Sequence, residues 1–213
     1  MTLEDIEAQV RKSHLTIFGA LHTTPEDKLD DGTLLLLGPH EPGFWPYVNA
    51  EPEFNDKAPD PMDRWSDRVI KALAADLGGT ALFPFGQPPQ PFISWALRSG
   101  STFVSPVSLL VHAKTGLFVS FRGALLVPRN LELPPPSAIP CDTCQDKPCL
   151  AACPSGALTE MGYNLDQCHD FLDTAEGTAC MSQGCAVRRA CPFSAKYPRL
   201  HAQSAFHMKA FHK

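Results

Sequence analysis

Cys141-Asp142-Thr143-Cys144-Gln145-Asp146-Lys147-Pro148-Cys149-Leu150-Ala151-Ala152-Cys153-Pro154 decides how the second half of this 213-residue chain folds. A later block, Cys168-x11-Cys180-x4-Cys185-x5-Cys191-Pro192, closes on the same Cys-Pro pair, and the two blocks together hold all eight cysteines. Two blocks of four thiols match two cubane [4Fe–4S] clusters, each of which takes four thiolates. In the iron–sulfur run C-x2-C-x2-C-x3-C-P the last cysteine ligates the other cluster. Two blocks ending in Cys-Pro therefore imply a crossed scheme. Cys141, Cys144, Cys149 and Cys191 hold one cluster; Cys153, Cys168, Cys180 and Cys185 hold the other. Neither block keeps the unmodified spacing, since Gln145 to Pro148 stand where the run has two residues.

Two other uses of the thiols compete. Eight cysteines fill two four-thiolate zinc sites, and Cys141-x2-Cys144 is also a zinc spacing, but the remainder does not repeat as paired C-x2-C knuckles. Four disulfides suit a small secreted scaffold. Met1 to His14, however, carries Glu4, Asp5, Glu7, Arg11 and Lys12 and no apolar run of the signal-peptide kind. A cytoplasmic, reducing location is the expectation.

Upstream of the cysteines, Pro128 to Pro140 holds five prolines in thirteen residues, which forbids helix and reads as a stiff linker. The expected organisation is an α+β chain: a mixed α/β sheet domain over 1–127, the linker over 128–140, a two-[4Fe–4S] ferredoxin-like domain over 141–199 and a helical tail over 200–213. Within 1–127, Thr2 caps a first helix to about Ser13, and Leu15–Leu21 and Thr33–Leu37 read as strands, the second buried. Asp60 and Pro61 open an amphipathic helix whose Trp65, Val69, Leu73 and Leu77 recur every four residues until Gly78-Gly79. Further strands are expected at Ala81–Phe85, Ser108–His112, Leu117–Phe121 and Ala124–Val127, with a helix at Pro91–Arg98. A hairpin turn at Lys114-Thr115-Gly116 means the sheet is not purely parallel.

The net charge of −5 argues against a nucleic-acid partner, and no apolar stretch reaches membrane-spanning length. Between Asp76 and Glu132 there is no acidic residue, while Arg98, Lys114, Arg122, Arg129 and several serines are present. That stretch reads either as buried sheet or as the wall of an anion-accepting cofactor pocket. His112 reads as a satisfied strand-end histidine. His22, His40 and His169 show no ligand spacing, and His201, His207 and His212 fall in or directly after a helix expected from Leu200 to Phe211. The loop Gly38 to Tyr47 either lids a pocket or covers a sheet edge.

Ile93-Ser94-Trp95-Ala96-Leu97-Arg98-Ser99-Gly100 and Phe103-Val104-Ser105-Pro106-Val107-Ser108-Leu109-Leu110-Val111-His112-Ala113-Lys114-Thr115-Gly116 resemble the segment before the clusters in epoxyqueuosine reductases and corrinoid reductive dehalogenases. The leader Asn164-Leu165-Asp166-Gln167 before Cys168 is similar too, and the likeness spans about residues 60 to 195. The resemblance implies a cobalamin in the N-terminal domain, fed single electrons by the clusters, with the chemistry belonging to the cofactor. One departure is decisive for activity. The queuosine enzymes carry a turn of Asp-Ser-Ala-Pro type whose aspartate is the proton donor, and here the turn is Phe85-Gly86-Gln87-Pro88-Pro89, with Gly86 at the acid position. Epoxide reduction of a tRNA base is therefore not expected, and no catalytic residue is assigned. Three functions stay open: a redox protein delivering electrons to a corrinoid or small-molecule site in the N-terminal domain, a ferredoxin-type carrier that docks a redox partner protein, and a zinc-stabilised interaction module.

Overall fold

A computed structural model describes residues 1–213 as a mixed α+β chain in two compact units. The first unit comprises Met1–Ser101 and Ser120–Ser137, and the second Thr102–Val119 and Ala138–Lys213. No helix is long and apolar enough to cross a membrane.

The first unit is built on a four-stranded antiparallel sheet. Helix α1 (Leu3–Arg11) opens it, and Thr2 and Asp5 form a reciprocal capping box at its N-terminus. Strands β1 (Leu15–His22) and β2 (Thr33–Pro39) pair antiparallel, with a bulge between Ile17 and Gly19. Every residue of β2 is buried, as the unbroken Leu34–Leu37 run predicts for a strand covered on both faces. Short helices α2 (Phe44–Asn49) and α3 (Pro52–Asn55) follow, then the long α4 (Pro61–Leu77). Asp60 takes the cap position of α4 in a left-handed conformation and makes no side-chain cap bond. Gly78, also left-handed, ends the helix where a side chain would be strained.

Strand β3 (Thr80–Leu82) pairs with β6 (Gly123–Val127), which in turn pairs with β2, so the order is β1-β2-β6-β3. The expected strand over Ala81–Phe85 stops at Leu82 because Pro84 has no N–H to give the ladder, and Phe83 and Phe85 stack on each other instead. Helix α5 (Phe92–Arg98) completes the unit. Its core holds Trp65, Trp95, Phe44 and Leu34 to Leu37, all fully buried. Phe44 meets Trp65 edge-on at 5.5 Å, so the segment expected as a Gly38–Tyr47 loop closes the core with the first turn of α2. The proline-rich stretch is not a free tether. Leu131 N donates to Thr33 Oγ1 at 2.9 Å, and Ser137 N donates to Gly100 O at 2.8 Å.

The second unit takes a segment from the middle of the chain. Strands β4 (Thr102–Val104) and β5 (Leu110–His112) form a hairpin, and the chain then turns through Lys114-Thr115-Gly116. Val107, Val111 and Leu117 share one core with Cys149, Leu158, Val187 and Cys191. This differs from the sequence-based boundary at 127, because the apolar side chains of 102–119 are inserted among the cysteines. The expected strand Leu117–Phe121 does not form. Leu117 N donates to Ser194 Oγ at 2.9 Å and Leu117 O accepts from Arg188, which leaves nothing for a ladder. The rest of the unit is a two-residue hairpin, β7 (Leu158–Thr159) with β8 (Gly162–Tyr163), and five short helices: α6 (Leu165–Leu172), α7 (Thr178–Gln183), α8 (Ala186–Ala190), α9 (Pro192–Ala195) and α10 (His201–Phe211).

Candidate metal centre

Short turns and helix starts set the cysteines. Cys141 and Cys149 sit in 3₁₀ turns that each begin at a proline, Pro140–Asp142 and Pro148–Leu150. Cys185 and Cys191 occupy the N-cap positions of α8 and α9, and Pro192 supplies the first residue of α9, where its missing N–H is no loss. Cys168 lies within α6, whose cap Asn164 accepts from Gln167 N, and Cys180 within α7. All eight are free thiols, and Cys149, Cys180 and Cys191 are buried.

Cys141, Cys144, Cys149 and Cys191 line one small, partly open cavity. Its walls are largely carbon, from Pro106, Val111, Leu117, Pro140, Pro148 and Phe193. Burial pushes the Cys141 thiol up, and the negative charge of Cys149, Cys191 and Cys144 pushes it further; Lys147 works against them. Cys149 is likewise raised by burial and then by Cys191 and Cys144. The remaining four interact among themselves: Cys168 is raised first by burial and also by Cys185, Cys153 and Cys180. Cys141, Cys144, Cys149 and Cys191 thus share one cavity, and Cys153, Cys180 and Cys185 are near enough to Cys168 to act on its thiol.

Hydrogen bonding distinguishes the second set. Tyr163 Oη donates to Cys168 Sγ at 3.3 Å, and burial together with that thiol raises the Tyr163 hydroxyl above its ordinary range. The Ser155 hydroxyl lies 3.4 Å from Cys153 Sγ, and Leu158 N donates to the same sulfur at 3.5 Å. Burial alone raises Cys153, but the Ser155 hydroxyl and the nearby amides bring it below the usual thiol value. The sequence reading did not single out Tyr163, Ser155 or Arg188. Ser155 follows Cys153 by two residues, within reach of a local side-chain bond; Tyr163 carries no such signal.

The arrangement fits iron–sulfur ligation on the chemistry of its donors. A thiol is a ligand only as thiolate. Four thiolates facing one small apolar space repel one another, and a cationic iron core relieves that repulsion. No group of three or more His, Cys, Asp or Glu side chains is drawn together tightly enough to hold a metal ion.

The other residues singled out in the sequence are placed elsewhere. Arg98 donates to both oxygens of Asp27, at 2.6 and 3.0 Å, and Trp95 Nε1 donates to Asp27 at 2.9 Å. Arg122 is buried in the first unit with Asp63 3.5 Å away, whereas Lys114 belongs to the second unit. The cations of the acid-free stretch are therefore not gathered at one site, and two of them are matched by acids from outside it. Gly86 sits in a turn with open space where a side chain would point. His112 Nδ1 accepts from the amides of Lys114 and Thr115, and His22 Nε2 lies 2.9 Å from Leu131 O. His40 Nε2 lies 2.7 Å from Arg11 Nη1, and His169 stacks on His212, which meets Asp173 at 3.0 Å. No family model, curated protein or solved structure matches the chain.

Proposed function

We propose that this protein transfers single electrons through two [4Fe–4S] clusters in a ferredoxin-like second unit, one held by Cys141, Cys144, Cys149 and Cys191 and the other by Cys153, Cys168, Cys180 and Cys185. The observation that carries this reading is the cavity ringed by Cys141, Cys144 and Cys149 of the first block and Cys191 of the second. When bound, the clusters supply reversible one-electron chemistry over a wide range of potential. The chain's own residues hold the thiolates, bury three of the eight and give hydrogen bonds to sulfur.

The pairing of Arg98 with Asp27 and of Arg122 with Asp63 favours an acceptor carried by a partner protein, the first unit serving as a docking module. A corrinoid held by the first unit is the second reading, supported by the likeness of residues 93–116 to the corrinoid reductases. Anaerobically purified protein is expected to be brown, with about eight irons and eight sulfides per chain. Colourless protein carrying two zinc ions and no sulfide would refute the proposal. Cobalamin added at micromolar concentration should leave its own visible spectrum unchanged on the carrier reading and shift it on the corrinoid reading.

A further inference from the structure

The two sets of thiols face different surroundings. Around Cys141, Cys144, Cys149 and Cys191 the wall is mainly proline, valine, leucine and phenylalanine, with Ser105 and Lys147 as its polar members, and the buried Ser105 hydroxyl makes no hydrogen bond to a sulfur. Lys147, the cation that acts on Cys141, is exposed, so water screens it. Amides of Cys149 and Leu150 approach Cys149, so backbone donors serve both sets.

Two side-chain hydroxyls approach sulfurs of the second set, and a half-buried cation acts on one of its thiols. Tyr163 Oη donates to Cys168 Sγ at 3.3 Å, and the Ser155 hydroxyl lies 3.4 Å from Cys153 Sγ. The half-buried Arg188, whose guanidinium donates to Leu117 O, acts electrostatically on Cys185. The Tyr163 ring, 40% exposed, stacks on Phe211 of α10 with centroids 6.4 Å apart. Reduction adds one electron and hence one negative charge. Hydrogen bonds to sulfur and a half-buried cation stabilise that charge and raise the potential, whereas an apolar wall lowers it.

Resting on the two-cluster reading above, we infer that the centre held by Cys153, Cys168, Cys180 and Cys185 is the higher-potential one, with Tyr163 as the residue that tunes it. With both clusters bound, an electron from a low-potential one-electron donor, a reduced flavin or iron–sulfur protein, would come to rest at this centre and leave from it singly. No bond forms and no proton moves. Tyr163 is a positioning residue, since it acts through a ligand sulfur.

The test is a potentiometric titration with dithionite of anaerobically purified full chain, followed by electron paramagnetic resonance. Iron and sulfide are assayed first, and a chain without iron fails the functional proposal itself. In iron-replete protein two reduction steps are expected, and Cys191→Ala, which leaves only the second set intact, should retain the upper one. Tyr163→Phe keeps the stacked ring and removes the hydroxyl, so it should move the upper step alone to more negative potential at unchanged iron content. Ser155→Ala should act in the same direction and serves if Tyr163→Phe loses iron. Movement of the lower step, or no movement in either variant, would overturn the inference while leaving the cluster content intact.

Discussion

Cys191→Ala tests the crossed arrangement most directly, because Cys191 belongs to the second block in sequence and to the first set in space. It is 8% exposed and faces the cavity of Cys141, Cys144 and Cys149. Removing it leaves three thiols around that cavity and all four of the other set. Iron should fall from about eight to about four per chain, and sulfide with it. Double variants make the grouping decisive. Cys141→Ala added to Cys191→Ala strikes the same set, so iron should stay at about four. Cys168→Ala added to Cys191→Ala strikes both sets and should bring iron close to zero. An uncrossed pairing predicts the opposite. Iron and acid-labile sulfide are counted on anaerobically reconstituted protein, with cluster type read by electron paramagnetic resonance. A Cys191→Ala, Cys168→Ala protein that still holds about four irons would refute the crossed grouping.

Other outcomes follow from the same structure. Asp27→Ala strips three hydrogen bonds from Arg98 and Trp95; Arg98 keeps a third of its side chain in water, so the loss should be at the low end for a broken buried pair, about 3 kcal/mol by urea denaturation. Arg98 holds the Asp27 carboxyl far below its unfolded value of about 3.9. The stability it confers is complete above that value and is lost as the pH falls below it toward the folded value, so Asp27→Ala should matter much less at pH 2 than at pH 7. Gly116→Ala places a Cβ 2.4 Å from Ser194 N at a φ of +58°, and should lower both the melting temperature of the second unit and its iron retention; wild-type values would contradict the packing of Gly116 on α9. Leu35→Ala, in the buried centre of β2, should cost about 2–5 kcal/mol in the same urea assay.

Local signals made much of the first unit legible. The four-residue period from Trp65 to Leu77, the proline at the first position and the glycine stop place α4 where it is found, because each acts within a turn or two of the helix. The unbroken Leu34–Leu37 run reads as a buried strand for a similarly local reason. The misreadings share a different cause. Residues 117–121 are apolar enough for a strand, but Ser194 and Arg188, more than seventy residues away, take the backbone groups of Leu117. In the cysteine region, the spacing and the repeated Cys-Pro ending pointed to Cys191 beside Cys141, Cys144 and Cys149, and these four line one cavity. The hydroxyl of Tyr163 at Cys168 was not legible, because it depends on how the β7–β8 hairpin and α10 fold around α6.

The insertion of residues 102–119 into the cysteine unit has a consequence for biosynthesis. Val107, Val111 and Leu117 leave the ribosome before any thiol exists to pack on them, and their partners Val187, Cys191 and Ser194 come last. At ordinary elongation rates roughly 4 to 15 s separate the two. Throughout that window a sticky segment waits in the nascent chain. On the proposed two-cluster reading, the supply of iron would govern how long the newborn protein stays exposed to chaperones, proteases and its own neighbours.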